Sequence, residues 1–191
     1  MSGSQTTSSA MDVVDILTAD HQDMVELCGQ IEHTADPAQR RDLADALIAE
    51  VVRHAVAEEM YVYPAIEEHV PNGAEEVEHD KREHAELQRV MKKMEDLDAS
   101  TPAFMERVRE LDGLLRHHAH DEEAKQFPQL RAHVPADRLV EMGKTVENAK
   151  KMAPTRPHPQ APQAELFHKT IGLGVGMIDR LRDKLTGRNT G

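Results

Sequence analysis

The chain has 191 residues, enough for one domain with a buried core and an additional segment. Its formal net charge of −12 argues against nucleic acid or an anionic membrane surface as the main partner. Aromatic residues make up only 3% of the chain and tryptophan is absent, so the core must consist of aliphatic residues and methionine, which suits helices better than a sheet.

Residues 1–10 are small and polar, and we expect this tail to be disordered. Residues 11–135 contain four segments with helical periodicity. The starts of these segments are near Asp12, at Asp36-Pro37, after Pro71-Asn72-Gly73 and at Thr101-Pro102. The second and fourth starts combine an N-cap residue with proline at the first helical position. Four amphipathic helices with short connections predict an all-α, up-down-up-down antiparallel four-helix bundle.

Three further segments follow the bundle. A short helix is predicted over residues 136–152, and residues 153–162 form a proline-rich linker. Residues 163–191 predict an amphipathic C-terminal helix, which contains three closely spaced glycines. The glycines favour close packing on the bundle or on another subunit, and docking on a protein partner or a membrane surface is the alternative.

Other features of the sequence bear on its location. The N-terminus has neither a basic start nor an apolar run, so no signal peptide is predicted. The longest uncharged apolar stretch, Ile171–Ile178, is too short to span a bilayer. The single cysteine, Cys28, cannot form an intrachain disulfide, which fits a reducing compartment. We therefore expect a soluble, cytoplasmic protein.

The motif His-Ala-x-x-Glu-Glu occurs twice, at residues 54–59 and 64 positions later at residues 118–123. A lone histidine in the first helix, His21, has a counterpart in the third helix, His84. Each half of the bundle is therefore predicted to contribute one lone histidine and one His-x-x-x-Glu pair. This twofold pattern predicts a site shared between the two halves.

Six of these residues fall where the helical stripes would place an apolar side chain: His21, His54, Glu58, His84, His118 and Glu122. Unpaired burial of six titratable groups would be very costly, whereas coordination of cations removes that cost. Imidazole and carboxylate are suitable ligands for first-row transition metals. The set is too large for a structural zinc and fits two metal ions that share two bridging glutamates.

The arrangement resembles the hemerythrin-like (HHE cation-binding) protein family over about residues 12–135. The resemblance rests on ADHQDM around His21, HAVAEEMYVYP from His54, EHAEL around His84 and HAHDEEAKQFP from His118. It implies a four-helix bundle with two non-heme iron ions joined by an oxo or hydroxo bridge. Carried onto matching positions, it implies the same six ligands, with Glu58 and Glu122 bridging.

Two positions bear on how far the resemblance extends. Oxygen-carrying hemerythrins have a second histidine one turn before the helix-three ligand, where this chain has Asp80. This difference argues against simple reversible O₂ carriage. The pattern with a single histidine on helix three resembles bacterial relatives associated with peroxide, nitric oxide or iron–sulfur repair chemistry. Asp80 is expected to be a hydrogen-bond partner near the site or a solvated residue.

Some relatives also place on the metal a tyrosine that precedes the proline, which is Tyr63 in this chain. Helical period instead puts Tyr61 on the stripe and Tyr63 about 140° away from Glu58. Tyr63 as an additional ligand and Tyr61 as a core residue are therefore both open. Glu59 and Glu123 are expected to be solvated, with a supporting hydrogen bond to a ligand as the alternative.

The main functional hypothesis is a di-iron protein that binds or senses a small oxidant: O₂, peroxide or NO. One alternative is a di-iron enzyme with catalase- or peroxidase-like or NO-handling activity. Another is an iron store, chaperone or regulator whose C-terminal helix docks a protein partner. The sequence leaves open whether turnover occurs and whether the chain self-associates.

Overall fold

The computed structural model describes residues 11–156, together with Asp183 and Gly187. The expected N-terminal tail, most of the proline-rich linker and the expected C-terminal helix lie outside the described residues. In order, the described helical segments are α1 (Val13–His33), α2 (Pro37–Ala57), the π-helical π1 (Glu58–Val62), α3 (Tyr63–His69), α4 (Gly73–Glu95), α5 (Pro102–Asp121), the π-helical π2 (Glu122–Gln126), α6 (Phe127–His133) and α7 (Ala136–Met152). The division of the chain into domains stays a prediction.

The described helices form a packed bundle. The segments α2, π1 and α3 follow one another without a break, and so do α5, π2 and α6. Around the bundle, α1 packs against α2 and α5, while α4 packs against α3 and α5. The fifth helical rod of the described part, α7, packs on α1 and α2. The predicted all-α bundle is therefore confirmed.

Local caps fix where the bundle helices begin. The carboxylate of Asp12 accepts a hydrogen bond from the backbone N–H of Asp15, and the Asp15 carboxylate accepts one from Asp12 N–H. Arg131 of α6 pairs with both carboxylates and so ties the start of α1 to α6. Asp36 caps α2 and Thr101 caps α5, each with proline in the first turn, as the sequence predicts.

The winding of the second and fourth bundle helices differs from the prediction of continuous α-helical period. Pro64 has no N–H to donate to the carbonyl four residues earlier, and its ring crowds that turn. The backbone accommodates this with the wider winding of π1, in which the N–H of Tyr63 donates to the carbonyl of Glu58. The segment π2 repeats this arrangement before Pro128.

Two large apolar clusters of the described residues lie in the bundle, one on each side of the six polar residues of the predicted site, and a small third cluster contains Val56, Met60 and Ala153. The first contains Met24, Cys28, Leu47, Val51, Leu87, Met91, Leu111 and Leu115. The second contains Val13, Leu17, Tyr63, Ile66, Val77, Phe127 and Leu130. Because α7 contributes Leu139 and Val146 to the second cluster, it shares the bundle core.

No helix in the described part of the chain combines the length and the apolar character needed to cross a membrane.

Asp183, one of the two described residues beyond residue 156, pairs with Arg156 at 2.6 Å, and Arg156 also contacts Glu95 at 3.2 Å. One point of the C-terminal region is therefore ion-paired to a residue that follows α7.

Candidate metal centre

The six side chains that the sequence singles out converge between the two apolar clusters. None of them is more than 3% exposed. They come from four rods: His21 from α1, the pair at the α2–π1 junction, His84 from α4 and the pair at the α5–π2 junction. The sequence repeat thus becomes a spatial twofold arrangement, with two histidines and one glutamate from each half.

The four histidines direct their Nε2 atoms at one another. The distance between Nε2 of His21 and Nε2 of His54 is 3.2 Å, and the same distance separates Nε2 of His84 and Nε2 of His118. Atoms bound to one metal at about 2.0–2.2 Å lie about 3 Å apart, so these spacings match two ligands of a common ion.

The two glutamates lie between the histidine pairs. Oε2 of Glu58 is 3.1 Å from Nε2 of His54 and 3.4 Å from Nε2 of His84. Oε2 of Glu122 is 3.3 Å from Nε2 of His21 and 3.7 Å from Nε2 of His118. Each carboxylate therefore contacts one histidine from each of the two pairs. A ligand that bridges two metal ions requires this position between the pairs.

Each histidine also has a carboxylate on its outer nitrogen, Nδ1. The four Nδ1–carboxylate contacts are His21–Glu123 (2.8 Å), His54–Asp20 (3.2 Å), His84–Glu59 (3.1 Å) and His118–Glu83 (2.9 Å). A carboxylate only accepts, so each Nδ1 donates its proton outward and leaves Nε2 for the interior. This hydrogen bond fixes the orientation and tautomer that a metal-binding histidine needs.

The outer carboxylates repeat with the same twofold pattern. Glu59 and Glu123 follow the buried glutamates, and each makes the hydrogen bond to a candidate ligand that was the alternative to solvation. The Glu59 side chain is only 7% exposed, whereas Glu123 is 39% exposed and so reaches solvent as expected. Asp20 and Glu83 each precede a lone histidine, and sequence reasoning missed both. The available signal was an acidic residue at the same place in each repeat.

Charge in the site favours a cation at its centre. Burial alone would lower the pKa of His54, but the Glu58 carboxylate beside it raises that pKa to about 10. Burial would raise the pKa of Glu58, yet the imidazole of His54 holds it well below its usual range. Without metal, His54 therefore keeps a proton that a metal ion would have to displace.

The donor set passes a direct test of fit. All four carboxylate oxygens of Glu58 and Glu122 are buried without a hydrogen-bond partner. Ligand atoms group within 4.8 Å in two sets that share one histidine: His21, His54, His118 and Glu122, and Glu58, His84 and His118. Buried carboxylates are stable when paired or when they coordinate metal, so these residues fit two adjacent ions.

The two halves of the site differ at the residue that follows each π segment. Tyr63 is 1% exposed, stacks on His84 and places its hydroxyl 3.2 Å from His84 Nε2. At the equivalent position Phe127 stacks on His21. Because π winding puts residue i+5 one turn beyond residue i, Tyr63 faces the site although α-helical period would turn it away. Its role as an additional ligand stays a prediction. Tyr61, only partly buried, packs beside the second cluster.

A second polar side chain lies on the same side of the site. Asp80 is fully buried one turn before His84, and its Oδ1 accepts a hydrogen bond of 2.9 Å from Gln126. Burial, together with the charge of Glu122, raises the pKa of Asp80 to about 7. Asp80 is therefore a hydrogen-bonded residue inside the bundle, and the alternative of a solvated residue is wrong.

The fold and the site define a class: an all-α bundle protein with a buried histidine and carboxylate cation site. The model of the hemerythrin HHE cation-binding domain family matches residues 12–130, and the chain belongs to this family.

The chain is similar to named proteins over much of its length. It is 29% identical to an uncharacterized hemerythrin-like protein of Schizosaccharomyces pombe, over 91% of this chain and 86% of that protein. It is 24% identical to a DNA nickase of a Nostoc species over 73% of this chain, which corresponds to only 39% of the nickase. A crystal structure of a hemerythrin HHE cation-binding domain-containing protein from Mycobacterium kansasii superposes with a TM-score of 0.65 at 19% identity, covering 74% of this chain and 86% of that one. The last comparison supports the fold.

Proposed function

We propose that the protein holds two non-heme iron ions among its four inward histidines and two buried glutamates, and that it binds or senses a small oxidant there. The observation that supports this most directly is the pair of glutamates whose four buried oxygens lack hydrogen-bond partners. Bound iron supplies redox chemistry toward O₂, peroxide or NO that no side chain of the site has.

The chain's own residues prepare the site for such a ligand. The outer carboxylates hold each imidazole in one orientation, and Glu58 and Glu122 supply the bridging positions. The aliphatic and methionine side chains of the two apolar clusters exclude bulk water and large molecules. A small oxidant fits this setting better than a large substrate.

The test is anaerobic reconstitution of the full chain with Fe(II), followed by metal analysis and spectra after separate additions of O₂, peroxide and NO. We expect two irons per chain and a spectral change with at least one of the three oxidants. His118→Ala should lose iron, whereas His133→Ala should not, because His133 is exposed and its ring bonds to the carbonyl of Gln129 in its own helix. Binding of a single zinc in place of iron, or equal iron in both variants, would contradict the proposal.

A second candidate function, a peroxide- or NO-consuming enzyme, is favoured by the polar residues that lie on one side of the site only. Tyr63 and Asp80 lie near His84, whereas the corresponding positions in the other half are the apolar Phe127 and Leu17. An acid with a pKa of about 7 is suited to exchange protons with a bound peroxide near neutral pH. Disproportionation of hydrogen peroxide to water and O₂ needs no further reductant.

O₂ evolution from peroxide by the iron-loaded protein tests the enzyme hypothesis. Asp80→Asn should reduce the rate while iron content is retained. No O₂ evolution and no NO consumption by the wild type would leave the binding or sensing role. The iron-storage and regulatory hypotheses depend on the C-terminal segment and stay predictions.

A further inference from the structure

A second group of metal-ligating side chains lies on the surface, outside the buried centre. It consists of His79 and Glu83 on α4 and His117 and Asp121 on α5, and we call it the surface quartet. His79 is 43% exposed and His117 is 63% exposed, so both imidazoles reach solvent. Each pair is spaced four residues apart, which puts both members of the pair on one helix face.

The polar atoms of the surface quartet point at one another. Oε1 of Glu83 lies 3.3 Å from Nε2 of His79 and 3.5 Å from Nε2 of His117. Oδ2 of Asp121 is 3.9 Å from Nε2 of His79. One ligand atom each from His79, His117 and Asp121 fits within 4.8 Å. Two imidazoles and two carboxylates are a donor set for divalent first-row transition metals, with water filling the open positions.

In the other half of the bundle, a lysine lies beside the carboxylate that corresponds to Glu83. Asp20 is the counterpart of Glu83, since each accepts a hydrogen bond from Nδ1 of an inward histidine. Asp20 is neutralised by Lys150 of α7, whose ammonium is 2.5 Å away. Glu83 instead has His79 and His117 beside it. Because α7 packs on α1 and α2, no described lysine or arginine fills the corresponding place at Glu83.

We propose that the surface quartet binds one divalent transition-metal ion, which occupies at Glu83 the place that the Lys150 ammonium occupies at Asp20. The site is separate from the buried centre and does not need that centre to contain iron. It is open to solvent on one side, so the ion exchanges with free metal in solution.

One neighbouring cation opposes binding. Lys125 places its ammonium 3.1 Å from Oδ2 of Asp121 and is 60% exposed. An incoming ion must displace this ammonium, which the exposed, flexible side chain of Lys125 allows. Lys125→Gln should therefore increase the metal affinity of the quartet.

A metal ion bound to the surface quartet should also affect His118 in the buried site. Oε1 of Glu83 faces the quartet, while its Oε2 is 2.9 Å from Nδ1 of His118. A metal ion on Oε1 draws charge from Oε2 and weakens the hold of Glu83 on His118. This coupling, unlike the surface site itself, rests on the proposed function of His118 as an iron ligand.

The test is a titration of the full chain with Co²⁺, followed by calorimetry and by cobalt absorption, in the wild type and in His79→Gln/His117→Gln. We expect the double variant to bind one Co²⁺ fewer per chain, or to bind that ion with an affinity lower on the order of tenfold, about 1.4 kcal/mol. His133→Gln is the matched control, because it removes an exposed histidine that lies outside the quartet.

The difference between the wild type and the double variant isolates the quartet whether or not the buried centre takes up metal. Equal Co²⁺ binding in the two proteins, or an equal loss in His133→Gln, would overturn the proposal. Asp121→Asn provides an independent variant should the double variant fold poorly, and unchanged binding there would count equally against the site. Tighter binding by Lys125→Gln would support it.

Discussion

Each inward histidine has a carboxylate behind it, and this pairing has a measurable consequence at the level of single residues. Glu59 Oε1 lies 3.1 Å from Nδ1 of His84, and the Glu59 side chain is only 7% exposed. We expect Glu59→Gln to lower metal affinity by roughly 10–100-fold, because a neutral amide accepts the same hydrogen bond but makes the imidazole a weaker donor to the metal. Competition with a metal chelator measures the change.

Glu68→Gln is the matched control for that prediction. It makes the same chemical change nine residues later, on a side chain that is 76% exposed and pairs with the neighbouring His69 at 3.7 Å. Metal affinity should not change in this variant. A similar decrease in both variants would mean that overall charge, and not the bond to His84, sets the affinity.

The pair Tyr63 and Phe127 permits a reciprocal experiment. Tyr63→Phe removes the hydroxyl that lies 3.2 Å from His84 Nε2 and makes the two halves of the site alike. We expect it to retain its metal content and fold, since the ring still packs on His84, but to alter the absorption spectrum of the iron-loaded protein. Identical spectra would show that the phenol has no contact with the metal.

Among single residues, the six candidate ligands could be singled out from the sequence, and Glu59 and Glu123 were given a hydrogen bond to a ligand as an alternative. Asp20 and Glu83 were missed. His54 and Glu58 could be found because they replace apolar residues on a helical stripe and recur 64 positions later. Asp20 and Glu83 lie off the stripe among 35 acidic residues, so nothing in their own segments distinguishes them. Their function depends on which neighbouring helix faces them, and helical period within one segment does not contain that information.

At the scale of the helices, local chemistry predicts the starts better than the winding. Asp36 and Thr101 cap their helices through contacts within a few residues, so the sequence alone locates them. A proline such as Pro64 can end a helix, kink it or be absorbed by π winding, and the choice depends on tertiary packing. For this reason the position of Tyr63 could not be derived from α-helical period.

The turn between α3 and α4 depends on a glycine. A Cβ added to Gly73 would lie 2.1 Å from the backbone carbonyl oxygen of Ile66. We expect Gly73→Ala to lower the free energy of unfolding by about 1–3 kcal/mol, because the backbone must move to relieve this clash. Gly113 provides the control, since a Cβ there meets nothing within 4 Å. Gly113→Ala should be neutral or stabilising by up to about 1 kcal/mol, as alanine favours helix; chemical denaturation distinguishes the two.

In addition to its apolar contacts in the second cluster, helix α7 is tied to the bundle by the ion pairs of one lysine. Lys150 lies 2.5 Å from carboxylate oxygens of both Asp20 and Glu50. Lys150→Met would remove the ammonium that two partly buried carboxylates share, although Asp20 keeps His54 and Glu50 keeps Arg53 at 3.7 Å. We expect a loss of roughly 2–4 kcal/mol, somewhat below the cost for a fully buried pair. Denaturation gives the magnitude, and hydrogen exchange in α7 shows whether this helix is released first.

The same contact predicts a dependence on pH. Burial alone would lower the pKa of Lys150, but Asp20 and Glu50 raise it above its ordinary value. The ion pairs therefore stabilise fully below the unfolded-state pKa of about 10.4, and this contribution is lost as pH rises through the folded-state value. The stability difference between the wild type and Lys150→Met should accordingly shrink at high pH. If the stability difference stays constant with pH, it comes from packing of the aliphatic part of the Lys150 side chain and not from the ion pairs.

For the whole molecule, the buried site links metal binding to the stability of the fold. The six candidate ligands come from all four bundle rods, so unfolding any rod dismantles the site. A metal that binds only the folded chain contributes about 4 kcal/mol when its free concentration is about 1,000 times Kd. For a chain of this size, the corresponding rise in Tm is roughly 8–16 °C.

Removal of metal with a chelator should therefore lower Tm, and returning Fe(II) should raise it progressively with concentration. The rise should be accompanied by proton release, because a bound ion displaces the proton of His54. A scan of the Glu58→Gln/Glu122→Gln variant supplies the control: without the bridging carboxylates its Tm should no longer respond to iron. If chelation leaves the wild-type Tm unchanged, the buried histidines and glutamates are held together by their own hydrogen bonds and protons, and the bundle does not depend on metal for its stability.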